Sequence, residues 1–145
     1  MAVSKDSLFV KVLRVWVGLI GITALGNTIS SYLNGELLSE TIFTQKPELV
    51  NALVGRLFGT WTLLSAFVRV LCAVHIDSKP LYEVSMFSFL LAFAYFASEL
   101  YIFKTIHVTF GPLSALVIST ISFVLMLVGY PRLFQRQSTG RAKRR

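Results

Sequence analysis

Apolar residues in this chain do not alternate; they run together in four long blocks separated by short polar stretches. The blocks cover about 12–33, 51–74, 81–103 and 108–130. A helix needs about 20 apolar residues to cross a hydrocarbon core about 30 Å thick, and every block is long enough. The pattern predicts an all-α, polytopic membrane protein with four transmembrane helices in a small bundle. The fourth block holds no charge and is the plainest span. Pro80 and Pro112 fall near expected helix starts, where a missing N–H does no harm, and Pro131 follows the last block as a stop signal. The polar gap at 75–79 is so short that the second and third spans must form an antiparallel hairpin. Only the first gap, about 34–50, has room for a further surface helix.

Composition strengthens this picture. Of the 145 residues, 54% are hydrophobic and 14% charged, against about 25% charged in soluble domains. Residues 1–131 read as one membrane domain and 132–145 as a basic tail. The first block lacks a small-x-small cleavage site behind it and reads as a retained helix, not a removed signal peptide. The single Cys72 sits inside an apolar run and reads as a small buried hydrophobe.

The net charge of +7 changes the picture through its distribution. Six of the fourteen Lys and Arg residues lie in the tail, at Arg132, Arg136, Arg141, Lys143, Arg144 and Arg145. Such a tail beside an apolar helix faces the anionic headgroups of the lipid bilayer and fixes topology; no nucleic-acid partner is expected. With four spans both termini share one side. That side collects eleven basic residues against three, Lys46, Arg56 and Lys104, on the other, which predicts cytosolic termini.

Besides Arg14 at the start of the first block, four charged residues fall inside the blocks: Arg56, Arg69, Glu83 and Glu99. A charge at membrane depth costs at least ~2.5 kcal/mol on insertion scales, so it needs a partner or a task. Counted from a turn near residue 76, Arg69 and Glu83 lie level, and so do Arg56 and Glu99. Helical phase prevents one straight seam from holding both pairs, so one direct Arg–Glu pair is expected. Asn27 lies at a depth similar to Arg56 and is a candidate to hydrogen-bond it. A direct Arg56–Glu99 pair implies that Arg56→Ala harms assembly more than Glu99→Gln, because neutral Gln still accepts a hydrogen bond.

Trp16 and Tyr130 fit interfacial belts. Gly55 and Gly59, at small-xxx-small spacing, allow close approach of another helix, including one from a homo-oligomer. The aromatic residues crowding the third block, from Phe87 to Phe103, read mainly as lipid-facing packing.

Catalytic equipment is thin. His75 and His107 fall short of the many ligands that a membrane di-iron oxygenase requires, and no dinucleotide turn or phosphate loop is present. No metal or cofactor is expected, and the chain reads as a non-enzyme.

The segment Arg56-Leu57-Phe58-Gly59-Thr60-Trp61-Thr62-Leu63-Leu64, followed by Arg69, resembles the signature of the ergosterol biosynthetic protein 28 family. Gly26-Asn27 with Ser30 and Tyr32, Lys46-Pro47, Lys79, Leu81-Tyr82 and the run from Phe87 to Glu99 resemble it too. The resemblance covers about residues 10–130. It departs at Tyr95, where family members often carry His. It implies a non-catalytic scaffold in the endoplasmic reticulum membrane, working in sterol biosynthesis. Its implied partners are the C-4 methylsterol oxidase, the decarboxylating sterol C-3 dehydrogenase and the 3-keto sterol reductase. Asn27, Arg56, Trp61, Arg69, Glu83 and Glu99 are then the structural or partner-binding candidates, and Arg141 and Lys143 resemble a dibasic retrieval signal. A second reading is a sterol-binding or sterol-isomerising enzyme built on Glu99, Arg56 and the aromatic third span. A small transporter relying on Glu99 is a third.

Overall fold

A computed structural model describes residues 7–135. Four long helices cross it: α1 (Leu8–Leu33), α3 (Ala52–Val74), α4 (Lys79–Tyr101) and α5 (Phe110–Tyr130), with a short α2 (Glu36–Thr41) in the first connection. All four are long and apolar enough to span a membrane. The first loop thus does hold a further helix. Starts are marked by local chemistry. Ser7 Oγ accepts from the Val10 N–H at 3.4 Å, and Asn51 Oδ1 accepts from Val54 N–H at 3.0 Å, each satisfying a donor the helix leaves open. Pro80 sits in the first turn of α4 and Pro112 in that of α5, as their missing N–H groups allow.

Three boundaries differ from expectation. α1 begins at Leu8 rather than near residue 12, so Trp16 lies about 12 Å inside the helix. α4 starts at Lys79 and ends at Tyr101. Pro131 does not stop the last helix: the chain continues as a π turn, Pro131–Gln135. Proline offers no N–H there, and a π turn places the hydrogen bonds one residue further on. The continuation buries Leu133 and Phe134.

The tightest seam is α1 against α3, antiparallel along their whole length, not the α3–α4 hairpin that the short connection suggested. It is made of small residues. An added Cβ at Gly18 would meet Ala73 Cβ at 3.3 Å, and one at Gly21 would meet Val70 Cγ2 at 2.9 Å and Val70 N at 3.2 Å. Further along, Thr28 and Thr62 hydroxyls hydrogen-bond at 2.9 Å. Gly55 lies against Gly35 and the Ser31 carbonyl, and Gly59 against the Tyr32 ring. The Gly55–Gly59 pair is therefore used within the chain, where close backbones gain dispersion contacts that lipid cannot replace. The hairpin does form, and Arg69 bridges it.

Two apolar clusters close the bundle. Where the termini lie, Leu13, Val17, Cys72, Tyr82 and Met126 are buried together, and the Tyr82 hydroxyl donates to the Met126 carbonyl at 2.8 Å. Buried Cys72 matches its sequence reading. At the opposite end Leu38, Phe43, Phe96 and Ile106 form a smaller core. There the two loops are stitched together by Gln45 N–H to the Thr105 carbonyl (3.2 Å) and by Gln45 Nε2 with His107 Nδ1 (3.0 Å). Between the clusters the α1–α3 seam stays closed, while the bundle leaves a hollow inside.

Candidate functional site

The gap between the clusters is a cavity of about 430 Å³ enclosed by α1, α3, α4 and α5, with α2 across one end. Its α3 wall runs from Phe58 through Trp61, Thr62 and Ser65 to Arg69, a rise of about 16 Å. The lining mixes apolar surface with hydroxyls and one amide, Asn27. Arg69, Asn27 and Trp61 thus converge on one site.

Arg69 forms its floor. It is only 7% exposed. Its Nε donates to Ser88 Oγ at 3.2 Å, its Nη2 donates to the Ser88 carbonyl at 3.3 Å, and its guanidinium lies 4.1 Å from the centre of the Phe89 ring. A guanidinium carries five N–H groups; the other three have no protein acceptor among the described residues. Arg69 makes no ion pair with Glu83, so the expected Arg69–Glu83 contact is absent. Ser88 is five residues beyond Glu83, more than one turn further along α4 and on a different face, which explains why the arginine finds the serine instead.

The other three charges lie near helix ends and are handled locally. Glu83, in the second turn of α4, accepts from the Tyr130 hydroxyl at 2.6 Å and sits 3.8 Å from Lys79. Glu99, two residues from the end of α4, accepts from the Thr105 hydroxyl. The Thr105 N–H also donates to the Glu99 carbonyl at 3.0 Å, a return allowed by Lys104 in the left-handed region with φ 52°. Arg56, one turn into α3, is exposed and makes no ion pair among the described residues. At that depth its long stem reaches the interface. Neither candidate Arg–Glu pair forms among the described residues, so the one direct pair expected is absent, and Asn27 does not hydrogen-bond Arg56. The ranking of Arg56→Ala against Glu99→Gln therefore loses its basis, and the structure does not assemble Arg56 and Glu99 into one catalytic site. Glu99 instead lines a smaller hollow of about 370 Å³ with Lys46, Phe103 and Thr105.

Aromatic rings form the partition between the two hollows. Phe43, Phe58, Trp61, Tyr95 and Phe96 follow one another with centroids 5.4–6.3 Å apart, edge-on or tilted, within the spacing that ring pairs favour. Tyr95 is held by ring contacts to Trp61 and Phe96. Part of the aromatic surplus in the third span is therefore internal. Trp16, which the sequence suits to an interfacial belt, donates its indole N–H to Ser122 Oγ at 2.9 Å, tying α1 to α5 just beyond the cavity. The role of α2 as an end wall also had no sequence signal beyond the room available for it. Arg141 and Lys143 lie outside the described residues.

Fold and site together define a small polytopic helical membrane protein with an internal side-chain-lined cavity. The family described as Erg28 like protein matches residues 13–124, and the chain belongs to that family. It is 43% identical to the Ergosterol biosynthetic protein 28 homolog of Mus musculus over 96% of this chain and 99% of the relative. It is 39% identical to the Ergosterol biosynthetic protein 28 of Schizosaccharomyces pombe, over 87% and 88% of the two chains. With the Saccharomyces cerevisiae protein of the same name it shares 34% identity over 77% and 75%. No solved structure matches this chain. Membership places the protein in sterol biosynthesis.

Proposed function

We propose that this protein is a non-catalytic scaffold of the endoplasmic reticulum membrane, with both termini cytosolic. It holds together the C-4 methylsterol oxidase, the decarboxylating sterol C-3 dehydrogenase and the 3-keto sterol reductase. The family match across most of the bundle carries this reading. One further observation supports it. All four spans keep large apolar side chains outward, including Leu19, Ile22, Leu57, Phe67, Phe87, Leu91, Val117 and Val124, surfaces suited to lipid and to partner helices. Glu83 with Lys79 and Tyr130, and Arg56 near the opposite boundary, are polar grips at the two ends of those faces.

Affinity purification of the tagged full chain in mild detergent tests the proposal. Recovery of the three enzymes together is expected. Failure to recover any of them, from membranes in which all three are expressed, rules it out.

A further inference from the structure

Among the described residues Arg69 is the one charge held inside the bundle, and none of them balances its positive charge. The two glutamates on the adjoining helix are engaged elsewhere, by Tyr130 and Lys79 in one case and by Thr105 in the other. Phe89 and Ser88 supply a ring face and two oxygen acceptors, neither of them anionic. A buried guanidinium with three unused donors favours an oxyanion that can take two parallel hydrogen bonds.

The shape of the cavity says from where such a group would come. The apolar cluster around Leu13 and Tyr82 closes the cavity where the termini lie. α2 closes the other end, where the Thr41 carbonyl approaches within 2.9 Å of an added Cβ on Gly111. α1 and α5 meet at Trp16 and Ser122 and then leave an opening. Thr23 and Asn27 on one helix and Ile118 on the other line the cavity and are exposed. Access is therefore sideways, through the helix faces that contact the bilayer. Arg69 lies five residues from the end of α3, about 8 Å in. An amphiphile in that leaflet would place its head near Arg69 and run its apolar body along Ser65 and Trp61. The volume falls within the range of about 300–1,000 Å³ typical of small-molecule sites.

From these observations we infer that the cavity is a lipid-binding site for an amphiphile with a carboxylate head, seated against Arg69 and admitted between α1 and α5. A steroid acid and a straight-chain fatty acid share that chemistry. The inference goes beyond the scaffold reading, because a purified chain suffices to test it and no enzyme need be present.

The test uses the full chain in mild detergent and photoreactive diazirine analogues of a steroid carboxylic acid and of a fatty acid, with labelled residues mapped by mass spectrometry. Each unlabelled acid competes in parallel with its uncharged methyl ester, and ergosterol serves as the neutral comparison. We expect labels on cavity residues, and at least tenfold stronger competition by an acid than by its ester. The acid that competes better identifies the source of the ligand. In Arg69→Gln the preference for acid over ester should vanish, while Arg69→Lys retains part of it. Ala115→Phe, which puts a ring into the α5 wall of the cavity and leaves Arg69 untouched, should weaken labelling by acid and ester alike. Monodisperse elution of each variant reports that it has folded; if Arg69→Gln does not fold, the acid-to-ester ratio in the native chain and in Arg69→Lys decides. Equal competition by acid and ester, an acid preference that survives Arg69→Gln, labelling indifferent to Ala115→Phe, or no labelling in the cavity each overturns the inference.

Discussion

Helix α1 meets two neighbours in opposite ways. Against α3 it presents Gly18, Gly21, Ala24, Thr28 and Ser31, so the backbones approach until no added carbon fits at Gly21. Against α5 it presents Trp16, Ile20, Thr23 and Asn27, meets Ser122 through one indole hydrogen bond, and then stands off to leave the cavity mouth. In a membrane there is no hydrophobic gain from helix association, because lipid tails are as apolar as leucine. Close packing of small residues and interhelical hydrogen bonds supply the stability instead. One face of α1 therefore holds the fold together, and the other is free to keep a ligand-sized space open. The same division explains how a 145-residue chain can enclose a buried cation.

The comparison breaks most sharply at Gly21. Gly21→Leu would drive a side chain into the Val70 backbone N and the Ala66 carbonyl, which cannot rotate away. We expect a loss of about 3 kcal/mol, seen as aggregation or as a collapse of the monodisperse peak in fluorescence-detected size exclusion. The looser seam should respond less. Trp16→Phe removes the indole donor to Ser122 and should cost about 0.6 kcal/mol, the average for an interhelical hydrogen bond in a membrane protein. Thermal unfolding in detergent would measure it, and a loss as large as that of Gly21→Leu would contradict the division of labour. Gly26 faces open space, with nothing within 4 Å of an added Cβ. Gly26→Ala should therefore raise stability by about 0.5 kcal/mol through helix propensity. The smallest effect is expected at Arg56, whose exposed guanidinium has no ion pair to lose. Arg56→Ala should change stability by less than about 0.5 kcal/mol. It becomes informative in the pull-down, where loss of one enzyme without loss of fold would assign Arg56 to a partner contact.

Much of the architecture was legible in the residues. Four uninterrupted apolar blocks leave few alternatives, because only a helix satisfies its own backbone in lipid. Cys72 inside an apolar run, the prolines in the first turns of α4 and α5, and a surface helix in the first loop were all readable for local reasons. The charges were not. Depth matching placed Arg69 level with Glu83 and Arg56 level with Glu99, yet a level says nothing about which way a side chain faces. Phase had already ruled out one seam for both pairs. The structure extends that rule to each pair, since Ser88, Tyr130 and Thr105 are nearer alternatives. Trp16 lies a full turn further into α1 than a start near residue 12 implies, and its ring is half-buried against α5.

By itself, then, the sequence determined the number of spans and the family, because hydrophobic length and signature residues are properties of the chain taken in order. Tertiary structure alone decided that Gly55 and Gly59 serve an internal seam, that Trp61, Asn27 and Arg69 share one cavity, and that Arg69 meets no counter-charge among the described residues. Those facts depend on the rotation and separation of helices about their axes. In lipid, close-packed contacts set both quantities, and no pattern along one strand of sequence records them.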